Sequence, residues 1–276
     1  MIIDAHTHFY DPSRPQGVPW PGPKSGSIYR TVLPEHHREV AAASGVTGTI
    51  VVEASAWLED NQWILDLAES DPWIVGLVGH IETDEQFGAN IDRFAANAVF
   101  CGIRTGPGVI DNADGRALER AEKMAQHNLA VEFHIPPEQL GTLAELASRV
   151  PELKWVMGHS GEPKLDGQPP QADWIDYINS AAALPQVYCK VSGLVEYCVQ
   201  KPASADVGFY EAMLDVLWEA YGEDRIIYGS NWPVCDLSSD HETVIAIVRT
   251  YLEGKGADMG KYWHENAKKA YGCVDR

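Results

Sequence analysis

Short apolar runs alternate with longer amphipathic segments along nearly the whole chain. Runs rich in Val and Ile are typical of buried parallel strands, whereas apolar residues recurring every three or four positions are typical of helices. The predicted strands are 2–8, 48–55, 73–81, 100–105, 129–135, 153–159, 187–192 and 225–230. The predicted helices are 34–44, 60–70, 86–97, 115–128, 137–149, 173–183, 209–221 and 241–252. This alternation predicts an α/β fold, a (β/α)₈ TIM barrel with parallel strands.

A doubly wound open sheet is the alternative fold, but it would usually carry a Gly-rich phosphate turn after the first strand. No such turn follows residue 8. The length of 276 residues suits one barrel, so we expect a single domain over residues 1–276. The longest irregular stretch, residues 11–33, is rich in Pro and Gly and contains Trp20. As the first strand–helix connection, it should lie at the C-terminal face of the barrel, in the position of a lid.

The composition of the chain excludes some classes of binding partner. The formal net charge of −19 argues against nucleic acid and anionic membrane surfaces as partners. No apolar run is long enough to span a bilayer, and strand-like sequence from Ile2 leaves no room for a signal peptide. The five cysteines are scattered without CxxC spacing, which is typical of reduced thiols in a cytoplasmic protein. A homodimer is plausible for such a barrel, although no pattern identifies an interface.

Polar residues end nearly every predicted strand, where barrel enzymes carry their reacting groups. They are His6, His8, Glu53, His80 or Glu82, Arg104, His134, His159, Lys190 and Asn231. Unpaired buried charge is costly, so a converging site explains these residues better than core packing does.

The first strand carries a His-x-His pair. Positions two apart on a strand face the same side, so Asp4, His6 and His8 should all point one way. Two imidazoles in this arrangement can share a metal ion or polarise a carbonyl group. The alternative interpretation is a pair of unrelated surface histidines. His37 and His241 fall in predicted helices, and we expect them to face solvent.

Several strings then resemble one family. Residues 3–8 (Ile-Asp-Ala-His-Thr-His) and 229–234 (Gly-Ser-Asn-Trp-Pro-Val) are similar to motifs of the amidohydrolase superfamily. Within it, the chain resembles the branch of sugar-lactone hydrolases and 2-pyrone-4,6-dicarboxylate lactonases. Residues 137–140, 153–163 and 190–194 agree with that branch as well. The resemblance implies a barrel that hydrolyses the cyclic ester of a sugar acid or a related molecule.

One departure from the family pattern affects the chemistry. The superfamily usually carries Asp on the last strand, where it binds metal or takes a proton from water, but this chain has Asn231. An amide is no carboxylate base and is a weak metal ligand, although it can orient water. Three explanations of Asn231 are open. The base has moved to another residue, the chain has lost its activity, or the Asn is an inactivating replacement of the Asp. Glu53 sits where related lactonases often carry a neutral residue, and it is our first candidate for a relocated base. The alternative is a structural ion pair between Glu53 and Arg104 or Lys190.

His134 is a second unusual feature, because metal-binding members of the superfamily often carry a ligand on the fifth strand. His6, His8 and His134 would form a three-histidine site, which suits one divalent metal, zinc above all. Metal-independent action also remains open. A single histidine near an apolar strand often just bonds a backbone carbonyl.

Three further residues are candidates for contacts with substrate. Arg104 carries a guanidinium fork that suits carboxylate or hydroxyl oxygens. Lys190 has the same capacity, and Trp57 offers a flat wall for a sugar ring. The alternatives are structural ion pairs for the two cations and ordinary packing for the tryptophan.

The predicted reaction is the opening of a lactone by activated water. His6, His8 and His159, with or without a metal, polarise the carbonyl group. Glu53 accepts the proton of the water, with His159 as second choice, and Asn231 positions the water. Two rivals are a metal-dependent decarboxylase or hydratase of the same superfamily, and a sugar-acid binder that has lost catalysis.

Overall fold

The computed structural model describes residues 1–105, 107–112 and 114–275, which form an eight-stranded parallel sheet in the order β1 to β8. The strands are β1 Ile3–Thr7, β2 Gly48–Val52, β3 Ile74–Gly79, β4 Phe100–Thr105, β5 Ala130–Phe133, β6 Trp155–Met157, β7 Val187–Val191 and β8 Ile226–Tyr228. Each strand pairs with the next along the chain. The predicted TIM barrel is therefore confirmed.

The ring is completed between the last strand and the first. The backbone N–H of Asn231 donates to the carbonyl of His6 at 2.9 Å, and the N–H of His8 donates to that of Trp232 at 3.0 Å. These bonds lie just beyond β8 and at the end of β1. The join therefore holds the His-x-His pair and Asn231 side by side at the C-terminal mouth of the barrel.

Helices cover the outside of the barrel. They are α1 Pro34–Ala41, α2 Leu58–Ser70, α3 Phe87–Ala95, α4 Pro107–Ile110, α5 Ala117–Gln126, α6 Leu140–Arg149, α7 Ala172–Ala182, α8 Glu211–Tyr221, α9 His241–Lys255 and α10 Asn266–Tyr271. All eight predicted helices are present, and each of their ends lies within three residues of the predicted one. Among the described residues, no helix is both long and apolar enough to cross a membrane.

The C-terminal segment closes the N-terminal end of the barrel, which the sequence did not predict. A π-helical turn, Lys261–Glu265, leads into α10. Ala267, Ala270 and Tyr271 of α10 pack against the apolar side chains that fill the bottom of the barrel. The hydroxyl of Tyr271 donates to Glu132 Oε2 at 3.0 Å, so α10 reaches the polar centre of the barrel as well as its apolar floor.

A bulge in β1 separates residues that strict alternation would place together. Asp4 pairs with Thr49 and Thr7 with Val51, so three steps on β1 match two on β2. The extra residue changes the side to which the following residues point. Asp4 faces the outer helices, whereas His6 faces the barrel interior, so the prediction that both point one way is wrong for Asp4.

The carboxylate of Asp4 is fully buried and bonds in four directions. Its Oδ1 accepts the backbone N–H of Ser230 at 2.9 Å and that of His6 at 3.2 Å. Its Oδ2 lies 3.3 Å from His37 Nε2 and 3.4 Å from His241 Nε2. Both histidines are buried, so the prediction that they face solvent is wrong. Although burial opposes ionisation, hydrogen bonds from His241 and His37 hold the pKa of Asp4 well below its usual range.

Asp4, His37 and His241 lie close enough together to hold a metal ion, but the proton positions argue against one. The indole N–H of Trp73 donates to His37 Nδ1 at 3.0 Å. Because an indole is only a donor, Nδ1 must be the acceptor, and the neutral ring then carries its proton on Nε2. That proton occupies the nitrogen nearest Asp4 and leaves no lone pair there for a metal. The cluster is a structural network between β1, α1 and α9.

Replacing Asp4 with Asn should destabilise the fold by about 3 kcal/mol, because it breaks a buried and paired carboxylate. The folded pKa of Asp4 lies below its unfolded value of about 3.9. The loss should therefore be complete at neutral pH and shrink as the pH falls below about 4. Urea unfolding at pH 7 and pH 4 measures it. The control is Asp92→Asn, which removes an exposed carboxylate that pairs with Lys123 and His127. Equal losses in both variants would contradict this role of Asp4.

Candidate active site

A cavity of about 600 Å³ opens at the C-terminal ends of the strands. Its lining combines six of the predicted site residues with residues of the connecting loops. The lining residues are His8, Trp20, Glu53, Ala54, Arg104, Thr105, His134, His159, Glu162, Glu196, Tyr197, Asn231 and Val234. The convergence of polar strand ends that the sequence predicts is therefore present.

His6 of β1 and His8, just beyond the strand, are packed edge to face, with ring centroids 5.0 Å apart. His8 Nδ1 lies 3.0 Å from the carbonyl oxygen of Val52, which can only accept, so Nδ1 carries the proton. Burial lowers the pKa of His8 to about 4, so the ring is neutral at pH 7 and Nε2 has a lone pair. That lone pair faces Asn231 Oδ1 at 3.2 Å. Two acceptors in this position favour a cation beside them.

His6 sits deeper, above a buried ion pair. Its Nδ1 lies 3.4 Å from Glu132 Oε1 and 3.4 Å from Lys190 Nζ. Lys190 donates to Glu132 Oε2 at 2.5 Å, and both side chains are fully buried. Glu132 Oε1 favours a proton on Nδ1, whereas the ammonium group of Lys190, which can only donate, favours a lone pair there, so these two contacts do not fix the tautomer of His6. His6 Nε2 is buried and has no hydrogen-bond partner among the described residues.

Asn231 lies in the left-handed region, with φ of 61°, which Asn tolerates better than most residues. Its Nδ2 donates to Glu196 Oε1 at 2.8 Å. The amide thus bridges His8 on β1 and Glu196 in the loop after β7. Burial raises the pKa of Glu196 to about 7. The last strand lacks a carboxylate, but Glu196 on the neighbouring loop supplies one that is hydrogen-bonded to Asn231.

Glu53 lies just beyond β2 and borders the same cavity. Burial raises its pKa to about 7, against the opposing positive charge of Arg104. A carboxyl group with this pKa is half ionised at neutral pH, the condition in which it can take up or release a proton.

Arg104, His134 and Glu162 form a chain across the mouth of the barrel. Arg104 Nη2 donates to His134 Nε2 at 3.3 Å, and His134 Nδ1 lies 3.2 Å from Glu162 Oε1. Both nitrogens of His134 are thus engaged, and metal binding through Nε2 would require Arg104 to move. Arg104 is half-buried, so part of its guanidinium is accessible from the cavity.

His159 lies beside the pair on β1, with its ring centroid 4.4 Å from that of His6. Its Nδ1 is 3.0 Å from the hydroxyl of Ser192. Burial lowers the pKa of His159 well below the ordinary value. His159 is therefore neutral at pH 7.

Two predicted substrate contacts lie outside the cavity lining. Lys190 is below it, where it pairs with Glu132 rather than with Glu53. Trp57 is 40% exposed at the start of α2. Trp20 and Tyr197 are the aromatic side chains that line the cavity instead.

Sequence reasoning missed Glu132, Glu162 and Glu196. Glu132 was detectable, because it is the charged residue inside the apolar strand β5. Glu162 follows the histidine motif of the sixth strand closely. Glu196 lies in a loop, where no periodicity distinguishes it from a solvated carboxylate.

The arrangement combines neutral imidazoles, two carboxyl groups that titrate near pH 7 and one guanidinium. His6 Nε2 and His8 Nε2 could hold a metal. The carboxyl groups of Glu53 and Glu196 could exchange protons with a substrate, and Arg104 could bind an anionic or polar oxygen. Such a set suits the addition of water to a carbonyl group.

A family model described as amidohydrolase matches residues 3–273. The chain belongs to the amidohydrolase family. The predicted family resemblance is thereby confirmed. An L-fucono-1,5-lactonase of Burkholderia ambifaria is 33% identical to this amidohydrolase, over 86% of this chain and 81% of that protein. An L-fucono-1,5-lactonase of Burkholderia multivorans is 27% identical, over 98% and 96%. The solved structure of a Burkholderia multivorans amidohydrolase with bound zinc has a TM-score of 0.84 and 24% identity, with 99% and 100% coverage.

Replacing Asn231 with Asp should place two carboxylates against each other. Their repulsion raises the folded pKa of the pair above the unfolded values of about 4, so stability is lost as the pH rises. In chelator-treated protein, we expect the decrease in melting temperature to be about 2–4 °C larger at pH 8 than at pH 5.

The control for this variant is Asn128→Asp, at an exposed position that also has a positive φ, of 52°. It carries the same side-chain change in the same kind of backbone, without a facing carboxylate. A pH-independent decrease for the Asn231 variant would mean that Glu196 does not face residue 231 in solution.

Proposed function

We propose that this amidohydrolase opens the lactone of a sugar acid or a related carboxylic acid by the attack of activated water. The observation that carries the proposal is the presence of Glu53, with a pKa of about 7, in the cavity that contains His8 and Asn231. Two relatives named L-fucono-1,5-lactonase support a sugar lactone as substrate. This proposal places the enzyme in carbohydrate metabolism.

We propose His6 Nε2 and His8 Nε2 as metal ligands. The fit rests on the buried Nε2 atom of His6, which has no hydrogen-bond partner among the described residues, and on the lone pair that His8 directs at Asn231 Oδ1. A divalent ion there, for which imidazole ligands favour zinc, would act as a Lewis acid toward the lactone carbonyl. His134 remains the predicted third ligand, provided that Arg104 releases its Nε2 atom. Glu132 holds the ring of His6 in place.

In the proposed reaction, the oxygen of water bonds to the lactone carbonyl carbon and a proton of that water passes to Glu53. Asn231 orients the water, because a neutral amide cannot take the proton itself. His159, which is neutral at pH 7, adds a polar wall next to the carbonyl and is the second candidate for the base. The bond between the carbonyl carbon and the ring oxygen then breaks and gives a hydroxy acid.

We propose that Arg104 binds a carboxylate or hydroxyl oxygen of the substrate. Its guanidinium is half-buried at the cavity, and its long contact with His134 can be exchanged for a stronger bond to an anion. Trp20 and Tyr197 provide flat surfaces for the ring. Lys190 would act through Glu132 and His6, and a substrate contact for Trp57 would require the loop before α2 to move.

We further propose a cytoplasmic location. All five cysteines are free and buried, which agrees with a reducing compartment. The homodimer stays a prediction from the fold class.

The function is tested by incubating the purified protein with five- and six-membered sugar lactones in weak buffer with a pH indicator. We expect turnover above the spontaneous rate for at least one lactone. The variant Glu53→Gln should lower kcat/KM by about 100-fold or more, because it removes the base. In the wild type, kcat/KM should fall as the pH falls below about 7, where Glu53 becomes protonated.

The control is Glu82→Gln, an exposed carboxylate beyond β3 that pairs with His80 and does not line the cavity. It should leave kcat/KM unchanged. Saturable lactone binding without turnover would favour a binder that has lost catalysis. Turnover of unsaturated acids with release of carbon dioxide, and of no lactone, would favour the decarboxylase.

Metal removal tests the ligand assignment. Dialysis against a chelator should abolish turnover, and Zn²⁺ should restore it. His6→Ala and His8→Ala should each lower the bound metal from about one ion per chain, measured by atomic absorption. Full activity in metal-free protein would instead show that the histidines act without an ion.

A further inference from the structure

Glu196 has two oxygen atoms in different environments. Oε1 accepts the Nδ2 proton of Asn231 at 2.8 Å. Oε2 is buried and has no hydrogen-bond partner in the part of the chain that the structure describes. The side chain lines the cavity together with Asn231 and Tyr197. A buried carboxyl oxygen without a partner is costly in the apo protein, so a group that enters the cavity can satisfy it.

The contact with Asn231 decides which oxygen carries the proton. Oε1 receives an N–H and cannot donate in that direction. When Glu196 is protonated, the proton therefore resides on Oε2. Burial raises the pKa of this carboxyl to about 7, so a substantial fraction is protonated at neutral pH. The protonated form presents an O–H donor, and Asn231 fixes its orientation.

The barrel order places Glu196 and Glu53 on opposite sides of the proposed attack point. Between β7 and β2 lie β8 and β1, which carry Asn231 and His8. A continuous row of contacts runs from Glu196 through Asn231 and His8 to the carbonyl of Val52, the residue before Glu53. A lactone carbonyl held at His8 and Asn231 therefore has one carboxyl group on each side.

We propose that Glu196 is the general acid that protonates the leaving ring oxygen, while Glu53 serves as the base. This inference rests on the proposed lactone hydrolysis. It explains why the last strand can carry Asn231: the amide positions an acid and is not itself required to exchange protons. It also gives separate roles to the two carboxyl groups that border the cavity.

Water forms a bond to the carbonyl carbon, and its proton moves to Glu53. The bond between that carbon and the ring oxygen breaks, and the oxygen takes the proton of Glu196 Oε2 to become the hydroxyl of the product. Glu53 then releases its proton to solvent and Glu196 regains one, while the new carboxylic acid ionises. Lactone and water give hydroxy acid without any further reactant.

The test compares two leaving groups, because an acid is needed only when the leaving oxygen is strongly basic. One substrate is a sugar lactone, whose leaving group is an alkoxide, and the other is dihydrocoumarin, whose leaving group is a phenoxide. Glu196→Gln should lower kcat/KM for the sugar lactone by about 100-fold and for dihydrocoumarin by less than about threefold. Glu53→Gln should lower both by similar factors, since both reactions need the base.

A second measurement does not depend on dihydrocoumarin. Glu196→Ala leaves space beside Asn231, and formic acid should restore part of the sugar-lactone turnover in proportion to its concentration. Glu59→Gln, an exposed carboxylate that pairs with Arg93, is the control and should gain nothing from formic acid. Circular dichroism and thermal melting establish that the variants are folded.

The possible results distinguish the proposed role of Glu196 from the proposed lactonase activity. Equal losses of Glu196→Gln on both substrates, together with no rescue by formic acid, would assign Glu196 a purely structural role. Wild-type rates on both substrates would exclude it from the reaction. Failure of the lactonase proposal looks different, because the wild type itself would then turn over neither lactone.

Discussion

The buried carboxylate of Asp4 is the interaction on which the rest of the structure depends. It accepts the backbone N–H groups of Ser230 and His6, and so joins the last strand to the first. It also receives His37 and His241 from two outer helices. A single negative charge therefore reinforces the backbone bonds that close the ring and also contacts α1 and α9. At the bulge in β1, Asp4 turns toward the helices, while His6 faces the interior of the barrel.

Burial at the mouth of the barrel acts in opposite directions on the two kinds of titratable group. It lowers the pKa of His8 and His159, and it raises the pKa of Glu53 and Glu196. The site thus approaches neutrality at pH 7, with Arg104 as its clear positive charge. The strongly acidic outer surface has little influence on this balance, since solvent screens it. An anionic substrate can bind although the whole chain carries a net charge of −19.

The sequence was sufficient for the fold and for part of the site, and particular residues show why. Eight strand–helix units and the rule that barrel sites lie at strand ends placed Glu53, Arg104 and Asn231 in one cavity. The bulge in β1 was invisible, because pairing register depends on the neighbouring strand and not on local pattern. Glu196 was missed because a loop has no periodicity, and its role emerges only from its contact with Asn231. Local sequence patterns locate the ends of the strands, but the partners of the side chains at those ends are visible only in the tertiary structure.

The position of Tyr271 has a consequence for how the protein is made. This side chain comes from the last helix of the described chain, yet its hydroxyl bonds to Glu132 directly beneath His6. During synthesis, His6 and His8 leave the ribosome long before Tyr271, the residue that completes their support. A ribosome-bound chain can form strands and helices, but the polar centre of its barrel stays incomplete until residue 271 has left the exit tunnel. The site is thus assembled from residues that lie far apart in the sequence, and a nascent chain that still lacks Tyr271 has an incomplete site.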